Sequence, residues 1–215
     1  MNKKQLLLPM LACFLPVLAG VLLYEVLPEQ LPIHWNSAGE IDDYGHKAAV
    51  LFGFPVFFML MEAVLYGALT TDPKKMNQSQ KLKSLSLWLL PVTEVIVLFL
   101  TITSALEYEV NVVSMICLFM GALFVIVGNY LPKCKQNYTM GYRIPWALQD
   151  TDNWNKTHRL AGYLWMLEGV VLIIVTLLVR EALVLAGVMA VLIILFVVPV
   201  IYSYCLYKRK NNTCD

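Results

Sequence analysis

Long apolar runs alternate with short polar segments along the chain, and this alternation predicts the main elements. Each run is about as long as the roughly 20 apolar residues that a helix needs to cross a bilayer core. Such runs form helices in lipid, because backbone groups there find no water to bond. The pattern predicts an all-α membrane protein with six transmembrane helices, at residues 5–27, 48–70, 84–105, 111–131, 160–179 and 182–206.

The composition favours a membrane protein over a soluble domain. Of the 215 residues, 59% are hydrophobic and 14% are charged, and the mean hydropathy is +0.66. Soluble domains carry about 25% charged residues. Lys3 and Lys4 precede the first apolar run as in a secretion signal, but this run is too long and lacks a clear cleavage site. We therefore expect it to be retained as a span.

Positive charge falls on one side of the predicted spans. If both termini are cytoplasmic, all of the 16 Lys and Arg residues except Lys47 and Arg180 belong to the cytoplasmic side. Short cytoplasmic loops of membrane proteins carry such an excess of Lys and Arg. The sequence therefore predicts cytoplasmic termini and a basic cytoplasmic face, and it gives no reason to expect direct nucleic-acid binding.

Motifs of common catalytic and cofactor sites are missing from the sequence. GxSxG, HExxH, the P-loop and GxGxxG do not occur, and the five cysteines form no CxxC or Cys/His cluster with zinc spacing. No disulfide is expected, because the cysteines fall in spans or on the reducing side. We predict a protein that is not an enzyme and that uses no cofactor and no metal.

The first outside loop, residues 28–47, is long and polar, and we call it the outer loop. Pro28, Pro32 and Gly39 exclude a helix, and Trp35 suits the headgroup level. The residues with metal-binding side chains in this loop are His34, Asp42, Asp43 and His46. Their spacing matches no metal motif, which favours solvated loop side chains.

Between spans four and five, residues 128–159 form a polar, basic and aromatic segment, which we call the signature loop. Pro145 is expected to start a short helix. Asp150 or Thr151 is expected to cap a helix that continues into the fifth span. The other inside linker, residues 71–83, is expected only to connect two spans.

Several side chains of the signature loop have more than one interpretation. Trp146 and Trp154 are expected at the membrane interface. Asn129, before Pro132, is expected to satisfy carbonyl groups at the end of span four, and Gly141 permits a positive φ. Arg143 either clamps the loop through Asp150 or Asp152 or contacts a partner or a phosphate head group, and the sequence leaves these alternatives open.

Three acidic residues, Glu62, Glu94 and Glu168, lie inside predicted spans. At 1.5 Å per residue, all three lie about 12–15 Å from the inner face. Ionisable groups at such depth usually face a bundle interior or a cavity. The pattern favours one of two interpretations. Either the carboxyl groups are neutral and bond one another or Thr93, Thr103 or Asn129, or they form a polar pocket for a ligand or the centre of a proton- or cation-coupled transporter.

The signature loop resembles that of SdpI-type bacterial immunity proteins. The matching residues are Gly128-Asn129, Asn137, Gly141-Tyr142-Arg143, Pro145-Trp146, Trp154 and His158-Arg159. The outer loop resembles the N-terminal module of the same family, a domain of unknown function. Its matching residues are Leu27-Pro28, Leu31-Pro32-Ile33-His34-Trp35, Gly39 and Asp42. The two matches divide the chain into a two-helix module, 1–70, and a four-helix module, 84–207.

This resemblance implies a multi-pass protein of the bacterial cell membrane that resists a secreted antibacterial peptide. With toxin bound, such a protein holds a small cytoplasmic repressor at the membrane and so induces its own gene. His34, Trp35 and Asp42 would then face the toxin, and the signature loop would be the partner surface. The implied partners are membrane lipid, a peptide toxin and a repressor. A transporter that uses the glutamates is the alternative, and a membrane enzyme with Arg143 and His158 near phosphate is the least supported.

Overall fold

A computed structural model describes residues 3–178 and 181–212. The α-helices are α1 Lys3–Ala12, α2 Leu15–Leu23, α3 Phe54–Thr71, α4 Gln80–Ala105, α5 Val112–Tyr130, α6 Pro145–Gln149, α7 Thr151–Leu178 and α8 Glu181–Asn212. The strands are β1 Gln30–Trp35 and β2 Ile41–His46, with a π-helical turn at Ala49–Gly53 and 3-10 turns at Lys75–Asn77 and Leu131–Lys133. Arg180, which the topology prediction uses, lies outside the described residues.

The described helices confirm a helical multi-pass membrane protein. Five are long and apolar enough to cross a membrane, at Ala49–Thr71, Gln80–Ala105, Val112–Lys133, Thr151–Leu178 and Val191–Asn212. The first predicted span is instead a shorter apolar stretch, Leu7–Leu23. It breaks at Cys13 and Phe14, where Phe14 donates its N–H to the Leu11 carbonyl at 3.0 Å. Pro16 explains the break, because it lacks the N–H that would continue the helical ladder.

The described residues form two compact units. The first contains the chain up to Thr71 together with Gln80–Val112, and the second contains Asp72–Ser79 together with the chain from Val113 onward. Helix α4 therefore packs in the first unit, against α1, α2, α3 and β1, although the sequence division placed it in the C-terminal module. Its residue Thr101 is buried and donates its hydroxyl to the Pro32 carbonyl at 3.1 Å.

The outer loop, residues 28–47, forms an antiparallel β-hairpin that was not predicted from the sequence, and we call it the hairpin loop from here on. Gln30 pairs with His46 and Trp35 pairs with Ile41, with an irregular register in between. Leu31 is fully buried in a cluster with Leu27, Val50, Leu51 and Leu98, so the hairpin rests on the helices of its own unit. Apolar residues at every second position, Leu31, Ile33 and Trp35, were the available strand signal, although Pro32 stands where strict alternation would place a polar residue.

Helices α5 and α7 of the second unit approach each other closely at small residues. A side chain at Gly128 would stand 2.6 Å from the Met166 nitrogen, and one at Gly169 would stand 2.6 Å from the Gly121 carbonyl oxygen. Small residues at such positions let the backbones of membrane helices touch. The adjoining core contains Val113, Cys117, Phe124, Leu172 and Leu195. This framework holds both ends of the signature loop.

Candidate functional site

Asn137 lies at the centre of the signature loop and is fully buried. Its amide oxygen accepts the N–H groups of Thr139 at 2.9 Å and Met140 at 2.6 Å. Its amide nitrogen donates to the Lys135 carbonyl at 2.8 Å and to the Cys134 sulfur at 3.3 Å. One side chain thus satisfies the backbone of a turn that no regular element supports.

Asp72, which the sequence analysis did not single out, joins the inside linker to the signature loop. Its carboxylate accepts the Lys74 N–H at 2.7 Å, the Gln78 amide at 2.9 Å, the Tyr138 N–H at 2.9 Å and the Thr139 hydroxyl at 2.6 Å. Burial opposes ionisation of this carboxyl, but the hydrogen bonds outweigh it and lower its pKa below the usual value. The sequence feature that could have pointed to Asp72 is the Asp-Pro pair directly after a long apolar run.

The linker makes further bonds to the loop through Gln136. Lys74 donates to the Gln136 side-chain oxygen at 2.6 Å, and Asn77 donates to the Gln136 carbonyl at 2.8 Å. The Gln136 amide nitrogen in turn donates to the carbonyls of Ala147 at 2.9 Å and Leu148 at 2.8 Å. The expectation that residues 71–83 only connect two spans was therefore wrong, because this linker is part of the folded loop.

Trp154 and His158 form the buried wall behind the turn. Their rings stack with centroids 4.0 Å apart, and both residues are fully buried. His158 Nδ1 lies 2.8 Å from the Trp154 carbonyl, and His158 Nε2 accepts the Tyr142 N–H at 3.0 Å. These partners fix the neutral imidazole with its proton on Nδ1. The expectation that Trp154 lies at the membrane interface was wrong, because its indole N–H donates to the Cys134 carbonyl at 2.7 Å inside the loop.

Gly141 has the positive φ that the sequence predicted, at 85°. A side chain at this position would collide with the His158 ring. The next residue, Tyr142, donates its hydroxyl to the Leu195 carbonyl at 2.5 Å and accepts the Trp165 indole N–H at 2.8 Å. Burial raises the pKa of the Tyr142 hydroxyl. The loop is therefore bonded to both α7 and α8.

The entry into α7 confirms the local predictions for Pro145 and Asp150. Pro145 begins α6, and Asp150 accepts the N–H groups of Asp152 at 2.9 Å and Asn153 at 3.4 Å as the cap of α7. Asp150 also forms an ion pair with Lys210 at 3.0 Å. The hydrogen bond from Lys210 lowers the pKa of the Asp150 carboxyl.

Trp146 packs against the C-terminal end of α8. Its ring lies 5.4 Å from that of Tyr204 and 6.2 Å from that of Tyr207, measured between centroids. Among the described residues its indole N–H has no hydrogen-bond partner. The half-buried Trp146 is thus held by aromatic contacts.

Arg143 and Asn129 are exposed, unlike the buried set. Arg143 donates to the Tyr138 carbonyl at 3.4 Å. The predicted clamp to Asp150 or Asp152 was wrong, because Lys210 and Lys156 hold those carboxylates. Asn129 accepts a hydrogen bond from Lys133 at 3.1 Å rather than capping the helix end.

In the hairpin loop, His34 and Asp42, which the resemblance assigns together to the toxin-facing surface, form a direct pair. His34 Nδ1 lies 2.6 Å from the Asp42 carboxylate, and the two side chains are 67% and 41% exposed. Trp35 ends the same strand and is half-buried. Within the described residues there is no group of three or more His, Cys, Asp and Glu side chains able to hold a metal ion.

The base of the hairpin is held by a basic residue. Lys47 bonds Glu29 at 2.9 Å and the Tyr24 carbonyl at 3.2 Å, and its ammonium group lies 4.4 Å from the Tyr24 ring centre. The hydrogen bond between Lys47 and Glu29 raises the pKa of Lys47 and lowers the pKa of Glu29. Lys47 is a structural element of this loop.

Glu62 and Glu94 are buried inside the first unit. Among the described residues their carboxyl oxygens have no nitrogen or oxygen partner, and the Cys13 thiol lies beside Glu94. The proposed bonding of these carboxyls to Thr93 or Thr103 was wrong, because those hydroxyls bond the carbonyls of their own helix. Glu168 belongs to the second unit and is half-buried.

Comparison with known proteins now decides the family. The model of the SdpI/YfhL protein family matches residues 133–203, and that of a domain of unknown function, DUF1648, matches residues 11–59. The chain is 30% identical to the immunity protein SdpI of Bacillus subtilis (strain 168), over 98% of this chain and 99% of that protein. This chain belongs to the SdpI family.

The two SdpI-family matches fall in different units of the fold. Residues 133–203 lie in the second unit, with the buried part of the signature loop, and residues 11–59 lie in the first, with the hairpin. Membership of the SdpI family and the apolar helices identify a multi-pass protein of the bacterial cell membrane. No solved structure matches the chain.

Proposed function

We propose that this chain is an immunity and signal-transduction protein that resists a secreted antibacterial peptide. With peptide bound, it holds a cytoplasmic repressor at the membrane. The observation that carries the proposal is the similarity to the B. subtilis immunity protein over nearly the full length of both chains. A match of this extent includes both loops, so each loop has a counterpart in the relative.

The proposal places the two loops on opposite membrane faces. The excess of Lys and Arg on one side of the spans supports cytoplasmic termini, a cytoplasmic signature loop and an external hairpin. An external hairpin meets a secreted peptide first, and a cytoplasmic loop is accessible to a repressor.

The hairpin supplies a recognition surface of polar and aromatic groups. The His34–Asp42 pair is exposed on the paired strands, and Tyr44 is 53% exposed. Aromatic and hydrogen-bonding side chains on a fixed backbone lose little entropy on binding a peptide. We assign His34, Trp35 and Asp42 to contact with the peptide.

Within the signature loop, the proposal separates two roles by burial. Asn137, Trp154 and His158 are fully buried and therefore shape the loop. Arg143 is exposed, and within the described part of the chain its guanidinium group has one hydrogen bond, to the Tyr138 carbonyl at 3.4 Å, so its remaining donors are available to an acidic partner. We assign the repressor contact to Arg143.

A complementation experiment tests both assignments. Cells that lack the gene carry either the wild-type chain, His34→Ala or Arg143→Ala, together with a reporter for the promoter of the gene itself, and are exposed to a panel of secreted antibacterial peptides from other bacteria. We expect wild type to restore growth and induce the reporter. His34→Ala should lose both, whereas Arg143→Ala should keep growth and lose induction. Unchanged sensitivity of the deletion strain to all such peptides would contradict the immunity role.

A second candidate, ion-coupled transport, is favoured by one observation: the carboxyl groups of Glu62 and Glu94 are buried and have no nitrogen or oxygen partner among the described residues. Buried ionisable groups in spans often mark proton or ion pathways. Flux of protons, Na⁺ and K⁺ into proteoliposomes, measured for wild type and Glu94→Gln, tests it. Flux that Glu94→Gln abolishes would support transport, and absence of flux in wild type would remove it.

A further inference from the structure

A basic cavity of about 590 Å³ lies in the second unit, and residues of the signature loop and the inside linker line it. Its volume is within the range of small-molecule sites, about 300–1,000 Å³. Among the described residues its lining has three cations and no carboxylate: Lys133, Lys135 and Arg159, with Asn77, Gln136, Thr151 and Asn155 among the polar neighbours. No role in the proposed function uses this cavity.

Within the described residues, no carboxylate neutralises the cations of the cavity. Lys135 and Arg159 are exposed, and within the described part of the chain neither side chain has an ion pair or a hydrogen bond. The Lys133 ammonium bonds the neutral Asn129 amide at 3.1 Å and lies 5.2 Å from the centre of the Tyr130 ring. The nearest acidic residues along the loop, Asp150 and Asp152, are paired with Lys210 and Lys156. Like charges held together without a counterion favour an anionic ligand.

The wall of the cavity is fixed before any ligand binds. Gln136 is held by Lys74 at 2.6 Å and by the Ala147 and Leu148 carbonyls, and Asn77 bonds the Gln136 carbonyl at 2.8 Å. A wall whose side chains are already ordered loses little further entropy when a ligand arrives.

The cavity lies where membrane spans end. Lys133 is the last residue of the span Val112–Lys133, and Thr151 and Arg159 belong to the beginning of the helix that forms the next one. Span ends lie at the level of the phospholipid head groups, and basic pockets between spans bind those head groups. Guanidinium groups pair with two phosphate oxygens at once.

We propose that the basic cavity binds the phosphate group of an anionic phospholipid. Arg159 forms the paired hydrogen bonds to the phosphate, and Lys133 and Lys135 supply positive charge on either side. A lipid is favoured over an acidic protein segment because the cations sit at the ends of spans, where lipid phosphate is concentrated. The site is independent of the immunity role.

Lipid selectivity of the full chain tests the proposal. The protein is reconstituted in phosphatidylcholine vesicles, and electron paramagnetic resonance measures the association of spin-labelled phosphatidylglycerol relative to spin-labelled phosphatidylcholine. We expect wild type to prefer phosphatidylglycerol on the order of tenfold, and Lys135→Gln and Arg159→Gln each to lower that preference about fivefold. Arg159→Lys, which keeps the charge, should lose less.

Lys208→Gln is the matched control, because it removes an exposed cation from α8 outside the cavity. We expect it to change the preference by less than about twofold. The substituted side chains are exposed, and among the described residues they have no hydrogen bond or ion pair, so circular dichroism and thermal midpoints should match wild type. An equal loss in Lys208→Gln, or an unchanged preference in the Lys135→Gln, Arg159→Gln double variant, would overturn the proposal.

Soluble competitors separate the sources of the anion. Inorganic phosphate, sn-glycerol 3-phosphate and an octaglutamate peptide are each added to the same vesicles. The proposal expects phosphatidylglycerol to stay bound at low millimolar competitor. Displacement by inorganic phosphate or glycerol phosphate would overturn the lipid source in favour of a free phosphate. Displacement by octaglutamate, lost in Arg159→Gln, would overturn it in favour of an acidic protein.

Discussion

The side chains of Asn36 and Asn137 each accept two backbone N–H groups of a turn, the first in the hairpin loop and the second in the signature loop. The Asn36 side chain accepts the N–H groups of Ala38 at 2.9 Å and Glu40 at 3.0 Å in the exposed turn of the hairpin. Asn137 accepts two N–H groups in the same way but is fully buried. Water can replace the first set of bonds and cannot reach the second.

The contrast extends to the whole of each loop. The His34–Asp42 pair of the hairpin loop is exposed. Asp72 of the inside linker and Asn137 and His158 of the signature loop are buried, and each has several hydrogen-bond partners. A buried polar group that loses its partner costs about 1–3 kcal/mol, and an exposed pair contributes about 0–1 kcal/mol. Substitution of a polar side chain is therefore expected to lower the free energy of unfolding only slightly in the hairpin loop, but strongly in the signature loop.

The largest expected effect on stability is that of Gly141→Ala. A positive φ strains alanine by about 1–2 kcal/mol, and overpacking against the bonded His158 ring adds about 1–3 kcal/mol. Gly39, at φ 79° in the hairpin turn, is the matched control, with the backbone strain alone expected. The free energy of unfolding from SDS titration in mixed micelles measures both. Equal losses of unfolding free energy for Gly39→Ala and Gly141→Ala would contradict the difference between the two loops.

Next in size is Asn137→Ala, which leaves two buried N–H groups without acceptors. We expect a loss of about 2–4 kcal/mol, against less than about 1 kcal/mol for Asn36→Ala, whose donors water can satisfy. The same unfolding titration compares them. A loss in Asn36→Ala as large as that in Asn137→Ala would show that burial does not separate the loops.

Asp72→Asn should lower the free energy of unfolding by about 1–3 kcal/mol, because an amide cannot accept from all the donors around the carboxylate. The folded pKa of Asp72 is lowered, so its contribution is complete above the unfolded value of about 3.9 and is lost as the pH falls toward the folded pKa. Unfolding titrations between pH 7 and pH 3 should therefore show the difference between wild type and Asp72→Asn shrinking below about pH 4. A constant difference at all pH values would contradict an ionised Asp72.

The sequence predicted those features that depend on near neighbours along the chain. Pro145 and Asp150 mark a helix start, and Gly141 marks a turn, because the backbone of a few residues decides each. The apolar runs predicted the spans because each run is continuous along the chain. The first apolar helical stretch is shorter than predicted because Pro16 interrupts it.

Features that depend on distant partners were not predictable in this way. Asp72 gains its meaning from Tyr138 and Thr139, which lie more than sixty residues away. Trp154 was predicted to lie at the membrane interface because the sequence alone does not distinguish a tryptophan beside lipid from one stacked on a buried histidine. The hairpin was missed because two prolines and a glycine concealed a short alternating strand.

The smallest expected effect on stability is that of His34→Ala, below about 1 kcal/mol, because its pair with Asp42 is exposed. Survival under peptide challenge should nevertheless fall strongly if the hairpin is the recognition surface. Unfolding titration and a killing assay on the same variant check both parts. A large loss of stability would mean that the hairpin is structural, like the signature loop.

The most direct test of the opposed loops uses one tyrosine from each, Tyr44 in the hairpin and Tyr138 in the signature loop, which are 53% and 47% exposed. Each is replaced by cysteine in a chain with Cys205→Ser and Cys214→Ser, and intact cells are treated with a membrane-impermeant maleimide. The account predicts labelling of the Tyr44→Cys chain on intact cells and of the Tyr138→Cys chain only after the membrane is opened. Labelling of Tyr138→Cys on intact cells would contradict it.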